Sequence, residues 1–215
     1  FGRVDHVVLG GRGRGASRAA DSIQVRGAVD AHCRGHRVGD HGRALLDVRV
    51  EVGPGWPPGH AAEALQEIER ILDANPPAPL RRMAIQYRAT ALKRLGRYEE
   101  ALAECNLALS LARSLGDAAG EGSAYDSMGT IHRRLGNHTD AIESFNRGLE
   151  IVRRLGLRGP MASQLNKAGV THWSQGNYDE AEACYTESLA LHQEIGHRAG
   201  VANNLVNLGV LRFER

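Results

Sequence analysis

The sequence predicts an all-α fold, an α-solenoid of stacked antiparallel helical hairpins, on three observations. First, Gly96, Gly136 and Gly176 stand forty residues apart inside a recurring phrase: Leu95-Gly96-Arg97-Tyr98-Glu99-Glu100-Ala101, Leu135-Gly136-Asn137-His138-Thr139-Asp140-Ala141 and Gln175-Gly176-Asn177-Tyr178-Asp179-Glu180-Ala181. Second, the same period relates Leu109, Leu149 and Leu189, then Gly116, Gly156 and Gly196, then Gly129, Gly169 and Gly209. Self-similarity at a fixed period marks an array of one supersecondary unit. Third, the apolar residues between the markers keep helical spacing, as in Ala101, Leu102, Cys105, Ala108, Leu109, Ala112 and Leu115. Each such segment therefore has one apolar and one polar face.

The elements follow in order. Residues 1–59 contain twelve Gly, nine Arg, nine Val and four His, with Phe1 and Trp56 as the aromatics, and show no sustained helical or strand period. This Gly/Arg-rich segment is assigned to no element and is expected to be poorly structured: a disordered arm, a remnant of an upstream domain, or the product of a shifted reading frame. Residues 60–79 read as a single helix from His60 to Asn75, with Ala64, Leu65, Ile68, Ile71 and Leu72 on one face, ended by Pro76, Pro77 and Pro79. It suits a degenerate repeat or an N-terminal cap. Residues 80–215 form the array, three full repeats and the first helix of a fourth. Helices are expected at 80–95, 97–115, 119–135, 138–155, 160–175, 178–195 and 200–213.

Glycine suits the turn after each first helix because helices commonly end on a left-handed residue, which costs a residue without Cβ little. Asp140, Asp179 and Glu180 then fall in the first turn of the next helix, where the dipole favours acids. Gly129, Gly169 and Gly209 lie mid-helix at a cost of about 1 kcal/mol against alanine, so a paired helix should approach closely there.

This pattern resembles the tetratricopeptide repeat: a small residue eight from the start of the first helix (Gly129, Gly169, Gly209), and alanine followed by an aromatic in the second (Ala141 with Phe145, Ala181 with Tyr185). The first repeat departs from it with Ala89 and Cys105. A period of forty, with phrases such as Glu194-Ile195-Gly196-His197-Arg198-Ala199-Gly200, is similar to the longer repeats of bacterial SARP and LuxR-type transcriptional regulators and of kinesin light chains. The resemblance covers residues 80–213 and implies a right-handed superhelix whose first helices line a concave groove that binds a protein or extended peptide. It assigns to that groove Gln86, Thr90 and Lys93; Ser123, Asp126, Ser127, Thr130 and Arg133; Asn166, Lys167, Val170 and Trp173; and Asn203, Asn207 and Val210. Amides bond either group of a peptide backbone, cations take carboxylates, and an indole supplies a flat anchor.

Composition narrows the remaining possibilities. With 42% hydrophobic and 24% charged residues the 215-residue chain is ordinary for a globular protein. No apolar run approaches the roughly 20 residues that span a bilayer, and Val7-Val8-Leu9 is too short for a signal peptide. Residues 60–215 hold eighteen Lys and Arg against nineteen acids, so the repeats lack the basic stripe that direct nucleic-acid binding requires. Lys93 and Lys167 stand beside twenty-five arginines, a bias that fits a GC-rich, bacterial source. Cys33, Cys105 and Cys184 have no metal-type spacing and an odd count, consistent with a reducing, cytoplasmic setting.

No catalytic group is expected, nor a cofactor or a metal. Gly10-Gly11-Arg12-Gly13-Arg14-Gly15 has the wrong spacing for a phosphate-binding turn and no interleaved aromatics for an RNA-binding arm. His132 and His172 are equivalent positions one repeat apart, too far to share a zinc ligated near 2 Å, and read as packing histidines. Asn137-His138-Thr139 matches a glycosylation acceptor inside a tight turn. The expected function is therefore a non-enzymatic scaffold or adaptor module. The alternatives are the sensory arm of a multidomain transcriptional regulator and the accessory domain of an enzyme. The opening on Phe1 and the stop at Arg215 suggest a fragment, in which Leu205, Leu208 and Leu211 would lack a covering helix.

Overall fold

The computed structural model describes residues 6–9, 21–30, 43–52 and 58–215. The Gly10–Gly15 run, Cys33, the 34–42 stretch and Trp56 lie outside the described residues. The chain divides into two compact units, Phe1–Glu104 and Cys105–Arg215.

The first unit begins with strands β1 (His6–Leu9), β2 (Asp21–Asp30) and β3 (Arg43–Val52), antiparallel in the order β1-β2-β3, with His6 opposite Arg26 and Ile23 opposite Val50. The sequence reading assigned no element here. The strand signal is local: Leu46, Val48, Val50 and Val52 alternate with Asp47, Arg49 and Glu51. A composition dominated by glycine and arginine over the whole segment outweighs it. Helix α1 (Pro58–Asp73) follows, then α2 (Ala78–Arg94) after the proline break. Ala64, Ile68 and Ile71 pack against Leu80 and Ala84, with Leu72 and Tyr87 at the edge. The lone amphipathic helix of the sequence is thus one member of a hairpin. Its apolar stripe is covered by α2.

The remaining helices are α3 (Tyr98–Leu115), α4 (Ala118–Arg134), α5 (His138–Arg154), α6 (Arg158–Ser174), α7 (Tyr178–Glu194) and α8 (Arg198–Glu214). Their ends fall within about two residues of those expected. Gly96, Gly116, Gly136, Gly156, Gly176 and Gly196 all have φ between +65° and +80°. Around Gly136 the next residue's N–H closes back on the helix, Asn137 donating to the His132 carbonyl at 2.9 Å. This satisfies carbonyls the helix end would orphan. At the other end of the helices, Asp117 accepts the Gly120 N–H at 2.8 Å to cap α4, and His197 Nδ1 accepts the Gly200 N–H at 3.1 Å to cap α8.

In the second unit α4 pairs with α5, α6 with α7, and α5 packs on α6 as α7 does on α8. Two of the three mid-helix glycines, Gly129 and Gly169, have the role their position suggests, and Gly209 does not. A Cβ on Gly129 would lie 2.7 Å from the Phe145 ring, and one on Gly169 2.7 Å from the Tyr185 ring. Ring burial against bare backbone offsets the glycine penalty. Phe145 and Ala141 are fully buried and pack with Ala168 and Cys184, while Tyr185 and Ala181 pack with Leu211. Burial raises the Cys184 thiol pKa and pushes that of the Tyr185 phenol up to about 12. Gly209 has no side chain within 4 Å of its Cβ position. The expectation for α8 is corrected at one residue: Leu211 is 1% exposed because α7 covers it, Leu208 is half-buried, and Leu205 is exposed.

Candidate functional site

On α2, in the first unit, the expected groove residues Gln86, Thr90 and Lys93 are half-buried, and the Thr90 hydroxyl donates to the Gln86 carbonyl at 3.1 Å. The second unit carries the rest on α4, α6 and α8. Three ties link these helices, each between residues forty-one apart. Lys167 Nζ binds both oxygens of Asp126 at 2.6 and 2.8 Å, Asn207 Nδ2 donates to Asn166 Oδ1 at 2.8 Å, and Trp173 Nε1 donates to the Glu214 carboxylate at 2.5 Å. Within the second unit Asp126 and Lys167, and Asn166 and Asn207, are thus engaged with each other, and Trp173 with Glu214. Trp173 also packs beside Ala181, Tyr185 and Leu211. The Thr130 hydroxyl donates to the Asp126 carbonyl at 2.9 Å and is closed to an outside acceptor. Arg133 is half-buried without a carboxylate partner among the described residues, and burial lowers its pKa.

Two cavities open in the second unit, and they are the same cavity one repeat apart. The first, about 330 Å³, is lined by Ala119, Ser123, Asp126, Val152, Leu157, Pro160, Ser163 and Gln164. The second, about 270 Å³, is lined by Gly159, Ser163, Asn166, His192, His197, Gly200, Asn203 and Asn204, each forty residues on, together with Ile195. Ser163 belongs to both, so they form one trough with a shared wall. The sequence reading named Ser123, Asp126, Asn166 and Asn203 and missed the others. Of the others, Ala119, Gly159, Pro160, Ser163, Gln164, Gly200 and Asn204 lie on α4, α6 and α8 outside the groove positions of the family pattern, whereas Val152, Leu157, His192, Ile195 and His197 come from the ends of α5 and α7 and the loops after them, which no reading confined to the first helices reaches. The usable signal was the chemical change at fixed period, Val152 to His192 and Leu157 to His197.

The second cavity is the more polar. His192 and His197 stack with ring centroids 4.9 Å apart. Burial, then the neighbouring His197, lowers the His192 pKa from the ordinary 6.5, and burial lowers that of His172 against the opposing pull of Glu180. Below pH 6.5 the unfolded chain takes up protons at these positions that the folded chain does not, so stability declines as pH falls from 6.5 through the lowered values. The melting temperature is expected to be lower at pH 5.5 than at 7.5, and His192→Gln to remove part of that difference, measured by circular dichroism.

Among the described residues no group of three or more His, Cys, Asp and Glu side chains is arranged to hold a metal ion, and no helix is long and apolar enough to cross a membrane. His132 Nδ1 instead faces Asp140 at 3.9 Å.

Paired helices repeated at constant register, with a trough that recurs at the same register, define a helical-hairpin repeat protein. Residues 81–154 and 161–215 match the family described as tetratricopeptide repeat, and the chain belongs to that family. Such repeats are in general non-catalytic modules for protein interaction. Among solved structures, the chain is similar to BtubC (BKLC) from P. vanneervenii, with 21% identity and a TM-score of 0.59 over 71% of this chain and 63% of that one. It is also similar to aspartyl phosphate phosphatase F from Bacillus subtilis, with 17% identity and a TM-score of 0.61 over 72% of this chain and 39% of the other. The TPR domain of Arabidopsis FLU aligns at 22% identity and a TM-score of 0.52, over 55% of this chain and 99% of that domain. The chain thus spans less than two thirds of the length of the first two. At these identities the likeness is one of fold. No curated protein matches the chain.

Proposed function

We propose that the chain is a non-enzymatic adaptor that binds an extended segment of another protein along the trough on α4, α6 and α8. The observation that carries this reading is the pair of equivalent cavities joined at Ser163. A repeated cavity offers a repeated seat, which suits a chain molecule whose side chains recur at fixed spacing. Asn203 and Arg133 add groups able to hydrogen-bond a peptide. Trp173, half-buried beside the last helix pair, contributes mainly by holding α6 and α8 in register.

The test is a random linear-peptide display library panned on the full chain, with the enriched peptides remeasured on Ser163→Arg. Ser163 is half-buried and lines both cavities, so a longer side chain there fills the trough. Binding is expected to weaken at least tenfold, about 1.4 kcal/mol, with the melting temperature unchanged within a few degrees. Peptides that bind Ser163→Arg as well as the original chain would place recognition elsewhere and defeat the reading.

A further inference from the structure

We infer that the two cavities read different side chains of one peptide, an aliphatic residue in the first and a carboxylate in the second, about three residues apart. This deepens the peptide-binding reading and rests on it. The first cavity is walled by Val152, Leu157, Pro160 and Ala119, and its one acid, Asp126, is neutralised by Lys167. It offers apolar surface and no unpaired charge, the surroundings in which an aliphatic side chain gains by leaving water.

In the second cavity Gly159, His192, His197 and Gly200 stand in place of Ala119, Val152, Leu157 and Pro160, so polar groups join the apolar wall that Ile195 supplies. No carboxylate lines this cavity. His197 Nδ1 accepts the Gly200 N–H, so in the neutral ring the proton sits on Nε2 and is free to donate. Asn166 Oδ1 accepts from Asn207, which leaves its amide N–H group available, and Asn203 and Ser163 are free to donate as well. The first turn of α8 borders the cavity through Gly200 and adds the positive end of its dipole. Two lining side chains also have buried polar atoms without a partner, where the first cavity has one, Gln164 Oε1. Asn204 is fully buried with Oδ1 unpartnered, and His192 is 7% exposed with Nδ1 unpartnered. A native fold rarely keeps such groups unless something else completes them. A peptide carboxylate meets the donors, and a backbone N–H beside it meets Asn204.

The spacing follows from the repeat. Packed helices lie about 8–10 Å apart, and an extended chain advances about 3.3–3.6 Å per residue, so seats on successive repeats are about three residues apart. The expected ligand is a segment with an aliphatic residue and an Asp or Glu separated by about two others.

The variant His197→Asp tests this without endangering the fold, because Asp117 at the equivalent cap of α4 already accepts the Gly120 N–H at 2.8 Å. The same peptide library is panned on the full original chain and on His197→Asp. On the original chain, enriched peptides are expected to carry the aliphatic and acidic pair. Their affinity should fall at least tenfold on His197→Asp, whereas the Glu-to-Gln versions of those peptides should bind both chains alike. Selection on His197→Asp should exchange the acid for Lys or Arg. Enriched peptides that lack an acid, or that bind both chains equally, overturn the inference. If those same peptides still lose binding to Ser163→Arg, the trough itself stands; if they do not, the peptide-binding reading falls with it.

Discussion

Ala141→Arg is expected to abolish the cooperative thermal transition of the Cys105–Arg215 unit. Ala141 is 0% exposed on α5, in contact with Phe145 and Ala168, with Cys184 against them. An arginine there must either carry its charge into an apolar interior or force α5 away from its neighbours. Burying an unpaired cation costs far more than the interaction of any one side chain with the core. Forcing the helices apart removes Phe145 from Gly129, where its ring occupies the space a Cβ would need. A single domain is stable by about 5–15 kcal/mol, and substitutions that bury a charge fall in the tail above about 4 kcal/mol. The measurement is a thermal melt followed by circular dichroism. Asn146→Arg, on the exposed face of the same helix, is the control and should shift stability by no more than about 0.5 kcal/mol. A cooperative melt for Ala141→Arg at the original temperature would show that the repeat register assigned to this position is wrong.

The register was legible in the sequence because it is written several times. Gly129 with Phe145 and Gly169 with Tyr185 repeat one sterically exacting pair, and the six turn glycines repeat one backbone conformation that other residues rarely adopt. Helix ends followed from these markers to within about two residues. Strands β2 and β3 were not legible for the opposite reason: nothing repeats to reveal their register, and the short alternation of Leu46, Val48, Val50 and Val52 is outweighed by the Gly/Arg-rich composition around it. The candidate site was legible in part. Asp126, Asn166 and Asn203 lie on first helices, where the family pattern directs attention. His192 and His197 reach the same trough from the end of α7 and the loop beyond it, a juxtaposition that only tertiary packing creates. The pairing of Lys167 with Asp126, and of Asn207 with Asn166, was equally hidden. These ties between repeats determine which of the polar residues on α4, α6 and α8 remain free to meet a partner.

Gly148→Ser should destabilise the chain by about 1–3 kcal/mol, the usual cost of overpacking, and Gln164→Asn added to it should restore most of the loss. The two positions vary together between repeats. A Cβ on Gly148 would lie 2.6 Å from Gln164 Oε1, so the long amide of Gln164 requires glycine beneath it, and its Nε2 then reaches the Gly122 carbonyl at 3.3 Å. One repeat on, Ser188 and Asn204 stand in these places. Ser188 Oγ donates to the Ala162 carbonyl at 2.7 Å, the equivalent of Gly122, while Asn204 Nδ2 donates to Ser188 Oγ at 3.0 Å. The same buried carbonyl is thus satisfied by one long side chain or by a relay of two short ones. Gly148→Ser alone combines the long amide with the relay hydroxyl and overfills the site. Gln164→Asn alone leaves a short amide with no hydroxyl to relay it, at a cost of about 1–3 kcal/mol for an unmet buried group. The double substitution recreates the arrangement of the following repeat. Urea unfolding of the four chains gives the coupling directly, and a favourable interaction of about 1–3 kcal/mol is expected. Simple additivity would mean that the two sites adjust independently, and that the matched pairs at 148 with 164 and at 188 with 204 are unrelated.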